Sequence, residues 1–280
     1  MVHKAAVSGV QLVEGGNNIL SASEDFTLSL TSPSAPTPTP PLRLTSHTRA
    51  ITSLSLIPNT LNQAISASKD GTLRIWDISP GTGRQLGMLR SSGDVPITAL
   101  SVSSSGMVVA MALQSGYFDL VDLETRSTMF SSSSLSSAKT YGALDAIALY
   151  TYPESGRRHL VVTGSRNGVL SFYSCSIRDG GADVRQVGSC VRNGAGVSDI
   201  KFIPPSHDST HPTILITTTD GLPYHLQLTH PPNCDTFEFQ VITEYVGGPD
   251  CSPVRTIVGC MESEEVWMAG DDGVIWVYKI

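Results

Sequence analysis

The stretch ISASKDGTLRIWDIS (residues 65–79) decides the fold. Two runs of strand length alternate apolar and polar residues, and Asp70-Gly71 stands between them. A side-chain period of two marks a half-buried strand, and glycine between two such runs supplies the positive φ that a tight hairpin needs. The same hairpin recurs along the chain. Copies read ALQSGYFDLVDLE (112–124), VTGSRNGVLSFYS (162–174), ITTTDGLPYHLQL (216–228) and WMAGDDGVIWVYKI (267–280). Their glycines, Gly71, Gly116, Gly168, Gly221 and Gly273, are spaced by 45, 52, 53 and 52 residues. An earlier copy, LSASEDFTLSLTS (20–32), surrounds Asp25 and lacks the glycine.

Working outward from residues 65–79, the second repeat divides into four strands beginning at Ile51, Asn62, Thr72 and Arg84. Asp70-Gly71, Asn167-Gly168, Asp220-Gly221 and Asp272-Gly273 read as two-residue hairpin turns. Four antiparallel strands repeated at a fixed period predict an all-β fold, a β-propeller of four-stranded blades. First strands begin at Val7, Ile51, Ile97, Leu144, Val197 and Val254, so six blades are visible in a single domain over 1–280. Their expected limits are 1–47, 48–91, 92–137, 138–193, 194–249 and 250–280. The last blade lacks its outer strand, and the other end of the chain, which enters an inner strand soon after His3, offers no donor for it. This points to a seven-bladed parent and a chain shortened at its N-terminus. Residues 32–41 (SPSAPTPTPP) and 131–140 (SSSSLSSAKT) read as flexible surface insertions.

Composition narrows the function. Hydrophobic residues make up 40% of the 280, enough to bury a core. Net charge is −7, with no basic stripe of the kind phosphate backbones require, which argues against nucleic acid as a partner. No apolar run is long enough for a membrane-spanning helix. The five cysteines include no C-x-x-C pair and read as free thiols in a reducing compartment.

Three stretches superficially offer chemistry. GSRNG (164–168) lies in a hairpin and does not have the order of a nucleophile elbow. GTGRQLG (81–87) lacks the G-x-G-x-x-G spacing and a lysine, and it precedes a strand, so it reads as a turn. His207 and His211 have a metal-like spacing, but no helix aligns them. The expectation is therefore no enzyme, no cofactor, no metal and no small-molecule substrate. One charge feature remains. Glu244, Asp250, Glu262, Glu264, Glu265, Asp271 and Asp272 stand against a single base, Arg255, between residues 244 and 272. These seven acids form a candidate docking patch for a basic protein, whose encounter such a field accelerates.

The second repeat also contains Ser46-His47, Ser68, Asp70 and Trp76-Asp77, and in this it resembles the WD-repeat signature. That resemblance implies a hydrogen-bonded structural tetrad of His47, Ser68, Asp70 and Trp76. The physical logic is that a buried aspartate needs donors and a buried indole N–H needs an acceptor. In the first repeat His3, Ser23 and Asp25 remain, with Thr31 at the tryptophan position. The later repeats carry Val121, Tyr173, Leu226 and Tyr278 there.

Beyond the generic repeat, the order of segments resembles the proteasomal ATPase-associated factors, WD-repeat chaperones of regulatory-particle assembly. The residues that carry this are 67–77 followed by LGML (86–89), 163–173, and above all ITEYVGGPDCSPVRTI (242–257). The resemblance implies a non-catalytic protein of cytoplasm and nucleus that binds the C-terminal domain of a proteasomal ATPase subunit, and the charge of the seven acids suits a basic surface on that domain. The other reading is a generic WD-repeat adaptor, such as a ubiquitin-ligase substrate receptor or a subunit of another large complex.

Overall fold

A computed structural model describes residues 2–13, 16–33, 40–79, 81–135, 141–178, 181–203, 212–229, 237–246, 248, 252–260 and 264–279. The chain divides into two compact units, Met1–Ser136 and Ser137–Ile280, each holding three antiparallel sheets.

In the first unit, blade 1 pairs β1 (Val7–Val13), β2 (Asn18–Ser23), β3 (Thr27–Thr31) and β4 (Leu42–Thr45) in chain order. Blade 2 comprises β5 (Ile51–Leu56), β6 (Gln63–Ser68), β7 (Thr72–Asp77) and β8 (Arg84–Arg90). Blade 3 comprises β9 (Ile97–Val102), β10 (Val108–Leu113), β11 (Phe118–Asp122) and β12 (Ser127–Ser131). In the second unit, blade 4 holds β13 (Leu144–Thr151), β14 (Arg158–Ser165), β15 (Val169–Arg178) and β16 (Gly181–Val191). Blade 5 holds β17 (Val197–Ile203), β18 (Thr213–Thr218), β19 (Tyr224–Thr229) and β20 (Glu238–Glu244). Blade 6 has three strands, β21 (Val254–Cys260), β22 (Glu265–Gly270) and β23 (Ile275–Lys279). Each first strand starts at the residue expected from the sequence.

Within each unit the sheets stack face to face, which is why β6 (QAISAS) of blade 2, with a blade on either side, is buried on both faces. Leu20, Leu28, Leu54 and Trp76 fill the space between blades 1 and 2, and Ile65, Leu73, Ile97 and Met111 that between blades 2 and 3. In the second unit Leu160, Phe172, Ile200 and Ile216 join blades 4 and 5, with Phe172 stacked on Phe239 at 4.3 Å between ring centroids. Ile203, Leu215, Ile257 and Val266 join blades 5 and 6. Among the described residues no strand pairs with the outer edge of β23. Cross-strand register places Val258, Trp267 and Val277 in one row on blade 6, and all three are exposed.

The hairpins differ from expectation. β6 and β7 are joined by three residues rather than two, and the Gly71 N–H donates to Ser68 O at 3.1 Å. Only Gly71 (φ +76°) is left-handed, Asp70 being regular. This is a type I turn closed by one left-handed residue, and that geometry needs glycine at a single position. In blade 1 the equivalent residue is Phe26, which holds φ +72° without the freedom of glycine.

The proline-rich insertion is described only at its flanks, residues 34–39 lying outside the described residues. Of the serine-rich insertion, Ser132–Ser134 form a single 3₁₀ turn, and 136–140 lie outside.

Candidate functional site

The best-formed polar constellation lies in blade 2, where the hairpin projects Asp70 back toward the segment that leads into β5. The Trp76 indole N–H donates to Ser66 Oγ at 2.8 Å, and Ser66 Oγ lies 2.8 Å from His47 Nε2. On the far side of the ring, His47 Nδ1 donates to Asp70 Oδ2 at 2.9 Å. Asp70 also accepts from the Thr72 hydroxyl at 2.6 Å and from the Thr48 N–H at 3.0 Å. Donors therefore run in one direction, from the indole to the carboxylate. Burial on its own raises the Asp70 carboxyl, but the bonds from Thr72, Thr48 and His47 outweigh it and hold it at about 2. Burial lowers the His47 pKa against the pull of Asp70, so a neutral ring accepts from Ser66.

The serine of this network is Ser66, which corrects the expectation of Ser68. Both residues sit on one face of β6, two apart. Ser68 is consumed by the turn: its hydroxyl accepts the Asp70 N–H at 3.1 Å and donates to Arg49 O at 3.0 Å. Blade 1 repeats the pattern with Ser21 in place of the expected Ser23, His3 Nε2 lying 2.8 Å from Ser21 Oγ and His3 Nδ1 3.2 Å from Asp25. No indole reaches this serine, and the Ser21 hydroxyl donates to Ser29 O at 3.3 Å.

Blade 3 moves the carboxylate. Ser115 occupies the hairpin position, and buried Asp119 on β11 instead accepts the Ser92 N–H at 2.8 Å. The sequence signal for Asp119 is a lone carboxylate at an interior position of the apolar run YFDLV.

In the second unit the hairpins are tied by other groups. Arg166 makes a two-point ion pair with Asp145 on β13, both bonds 2.9 Å. Blade 6 has the same pair with its polarity reversed: hairpin Asp271 accepts from Arg255 on β21 at 2.8 and 2.5 Å. In blade 5, Asp220 accepts from Thr218 and Asn193, each at 2.5 Å.

The acidic patch is brought together only in part. Glu244, Asp271 and Asp272 sit at the hairpin ends of their strands. Glu264 and Glu265 sit at the opposite end of β22, roughly 16 Å away by strand rise. Asp250 and Glu262 lie outside the described residues. Several of the acids are occupied. Glu244 pairs with Arg192 at 2.8 Å, a base that a window from 244 to 272 leaves out. Asp271 is held by Arg255, Asp272 accepts the Trp276 indole N–H at 2.8 Å, and Glu265 accepts that of Trp267 at 3.1 Å.

His207 and His211 also lie outside the described residues. Among the described residues no cluster of His, Cys, Asp and Glu has the arrangement of a metal site. Cys175 and Cys190 are free thiols whose pKa values burial pushes up to about 12 and about 11. Such groups are poor nucleophiles.

Residues 38–77 match the family model "WD domain, G-beta repeat". That span runs from the segment leading into β4 to the end of β7. The sequence repeat thus contributes the outer strand of one blade and the three inner strands of the next. Over its whole length the chain superposes on a chain from a crystal structure of the mitotic checkpoint complex, with TM-score 0.74, 14% identity and 76% of that chain covered. The fold is a WD-repeat β-propeller. No curated protein sequence matches the chain. As many as 1650 chains of solved structures match, so the propeller likeness alone does not select among partners. Propellers of this kind generally present surfaces to proteins, and the network of His47, Ser66, Asp70 and Trp76 fits that role as a brace, because its polar groups are turned on one another.

Proposed function

We propose that this propeller is a non-catalytic scaffold whose partner is the C-terminal domain of a proteasomal ATPase subunit, and that it assists assembly of the regulatory-particle base in cytoplasm and nucleus. The observation that carries this reading is the segment at residues 242–257, whose Gly248-x-Asp250-Cys251-x-Pro253-Val254 element is similar to the run leading into the last blade of the proteasomal ATPase-associated factors. Charge supports it: residues 137–280 hold sixteen acidic and ten basic side chains, against nine and eight in residues 1–136. A basic domain is drawn to the second unit, where the field raises the encounter rate more than the final affinity. Glu264, exposed and without a partner among the described residues, belongs to the part of the acidic set that is free to meet one.

Charge reversal tests the reading. Glu262, Glu264 and Glu265 changed together to Lys are expected to weaken binding of the ATPase domain and flatten its salt dependence, while circular dichroism stays unchanged. Unchanged affinity and salt slope remove these acids from the interface.

A further inference from the structure

Between blades 2 and 3, wholly inside the first unit, lies a cleft of ≈ 390 Å³. Its floor is apolar, formed by Ile57, Ile75, Leu86 and Leu123, and the exposed Met107 lines it beside them. Two turns meet along one side. The Asn59 side chain donates to Ser104 O at 3.1 Å, and a Cβ on Gly106 would lie 2.4 Å from Pro58 O, so the turns are in contact there.

Arg126, on the turn that enters β12, also lines the cleft. Three observations about it do not depend on one another. First, its backbone is left-handed (φ +55°), a conformation that strains any residue with a Cβ. The residue in the same place before β8 of blade 2 is Gly83 (φ +42°). Second, its guanidinium sits beside Gly87 of β8, where a Cβ would come within 3.3 Å of Arg126 Cζ. Third, among the described residues it has no hydrogen-bond or ion-pair partner and remains exposed. A charged planar donor is thus set against an apolar cleft with its hydrogen bonds unspent.

We infer that this cleft binds an extended segment of a partner protein that presents one apolar side chain with an aspartate or glutamate close by. The apolar side chain enters the cleft and the carboxylate takes the two-point bond that Arg126 offers. Charge complementarity sets the class. Arg126 is the one cation of the lining, and Glu124 on the same turn is its one carboxylate. The Glu124 side chain disfavours a second acid beside the first, so a single carboxylate is selected over an acidic run. The cleft volume accommodates one large side chain together with its flanking backbone, and not a folded domain. This site is separate from the acidic second unit and asks for the opposite charge in its ligand.

Selection of short random peptides displayed on phage against the full chain, followed by fluorescence anisotropy on synthetic versions, tests the inference. The expected winners carry a large apolar residue within a few positions of an internal Asp or Glu. Arg126→Glu is expected to weaken them by at least about tenfold, the loss of one charge-assisted pair. Arg126→Gly gives a comparable loss yet raises the melting temperature, because glycine suits the left-handed backbone. Glu124→Gln binds at least as tightly as the parent. Winners without a carboxylate, winners that need a free C-terminal carboxylate, or affinity that survives Arg126→Gly would each overturn the assignment. A lowered melting temperature for Arg126→Gly would overturn it as well, by marking the side chain as a structural brace.

Discussion

Blades 2 and 6 face one problem, how to satisfy a hairpin carboxylate, and solve it with different groups in different settings. In blade 2 the Asp70 carboxylate is enclosed by His47, Thr72 and the Thr48 N–H, and Trp76 completes the network from the interior. In blade 6 Asp272 accepts from the Trp276 indole and the Val274 N–H, while its neighbour Asp271 pairs with Arg255 in the open. Both blades use a tryptophan N–H, but it arrives through a serine in blade 2 and directly in blade 6. The difference teaches that a hairpin carboxylate, where there is one, needs to be occupied and does not need a fixed set of partners. Enclosure turns the pair into a brace, and exposure leaves charge that a partner can use. The second unit follows the open solution in blades 4 and 6, and most of the net negative charge lies in that unit.

The largest test of this contrast removes one indole from each blade. Trp76 is 1% exposed, so Trp76→Ala is expected to cost about 3–5 kcal/mol through lost packing and a buried Ser66 hydroxyl left without its indole donor. Trp276→Ala, in the partly buried setting of blade 6, is expected to cost clearly less. Urea titration of both variants decides, and equal costs would erase the distinction between brace and rim.

Acid sharpens it next. Burial lowers His159 of blade 4 from 6.5 to about 4, so its folded form favours the neutral ring. Stability tied to His159 is then full above pH 6.5 and is lost as pH falls toward 4, amounting to about 3 kcal/mol. His47 and His225, also lowered by burial, contribute a loss of the same sign as pH falls below 6.5. Asp70 acts at lower pH: its contribution of about 2 kcal/mol is present above 3.8 and disappears as pH falls through about 2. Thermal melts of His159→Leu are expected to show a reduced pH slope between 6.5 and 4. An unchanged slope would contradict the account of a buried neutral ring.

Hairpin glycine gives a smaller effect of either sign. Phe26→Gly in blade 1 is expected to stabilise by up to about 1 kcal/mol, because the residue already holds a left-handed φ. Gly71→Ala is expected to destabilise, since a Cβ there adds a contact of 3.0 Å with Asp94 O to the strain. Melting temperatures moving in opposite directions support the three-residue turn in both blades.

The smallest effect concerns the reversed ion pairs. Exchanging Arg255 and Asp271 gives blade 6 the polarity of Asp145 and Arg166 in blade 4. The double exchange is expected to melt as the parent does and each single change slightly lower, a gap that high salt narrows.

Strand starts were legible because hydrophobic alternation and a glycine every fifty or so residues leave few alternative registers. The carboxylates Asp70 and Asp25 and the indole of Trp76 were legible for the same reason, being tied to the hairpin. The choice between Ser66 and Ser68 was not. Two serines on one face of a strand look alike until the turn is known to use one of them. Asp119 escaped because its partner is a backbone N–H, which carries no residue signature. The pairs of Arg166 with Asp145 and Arg192 with Glu244 join residues 21 and 52 apart, the first across neighbouring strands of blade 4 and the second from blade 4 to blade 5, and a linear charge count sees neither. That count also merged acids from the two ends of β22 into one patch.

The most direct test of the account is a titration of the purified, folded chain against the isolated C-terminal domain of each proteasomal ATPase subunit, at low and at high salt. The account predicts binding to one domain alone, weakened by salt. Equal binding to all of them, or none by a chain shown to be folded, would contradict it.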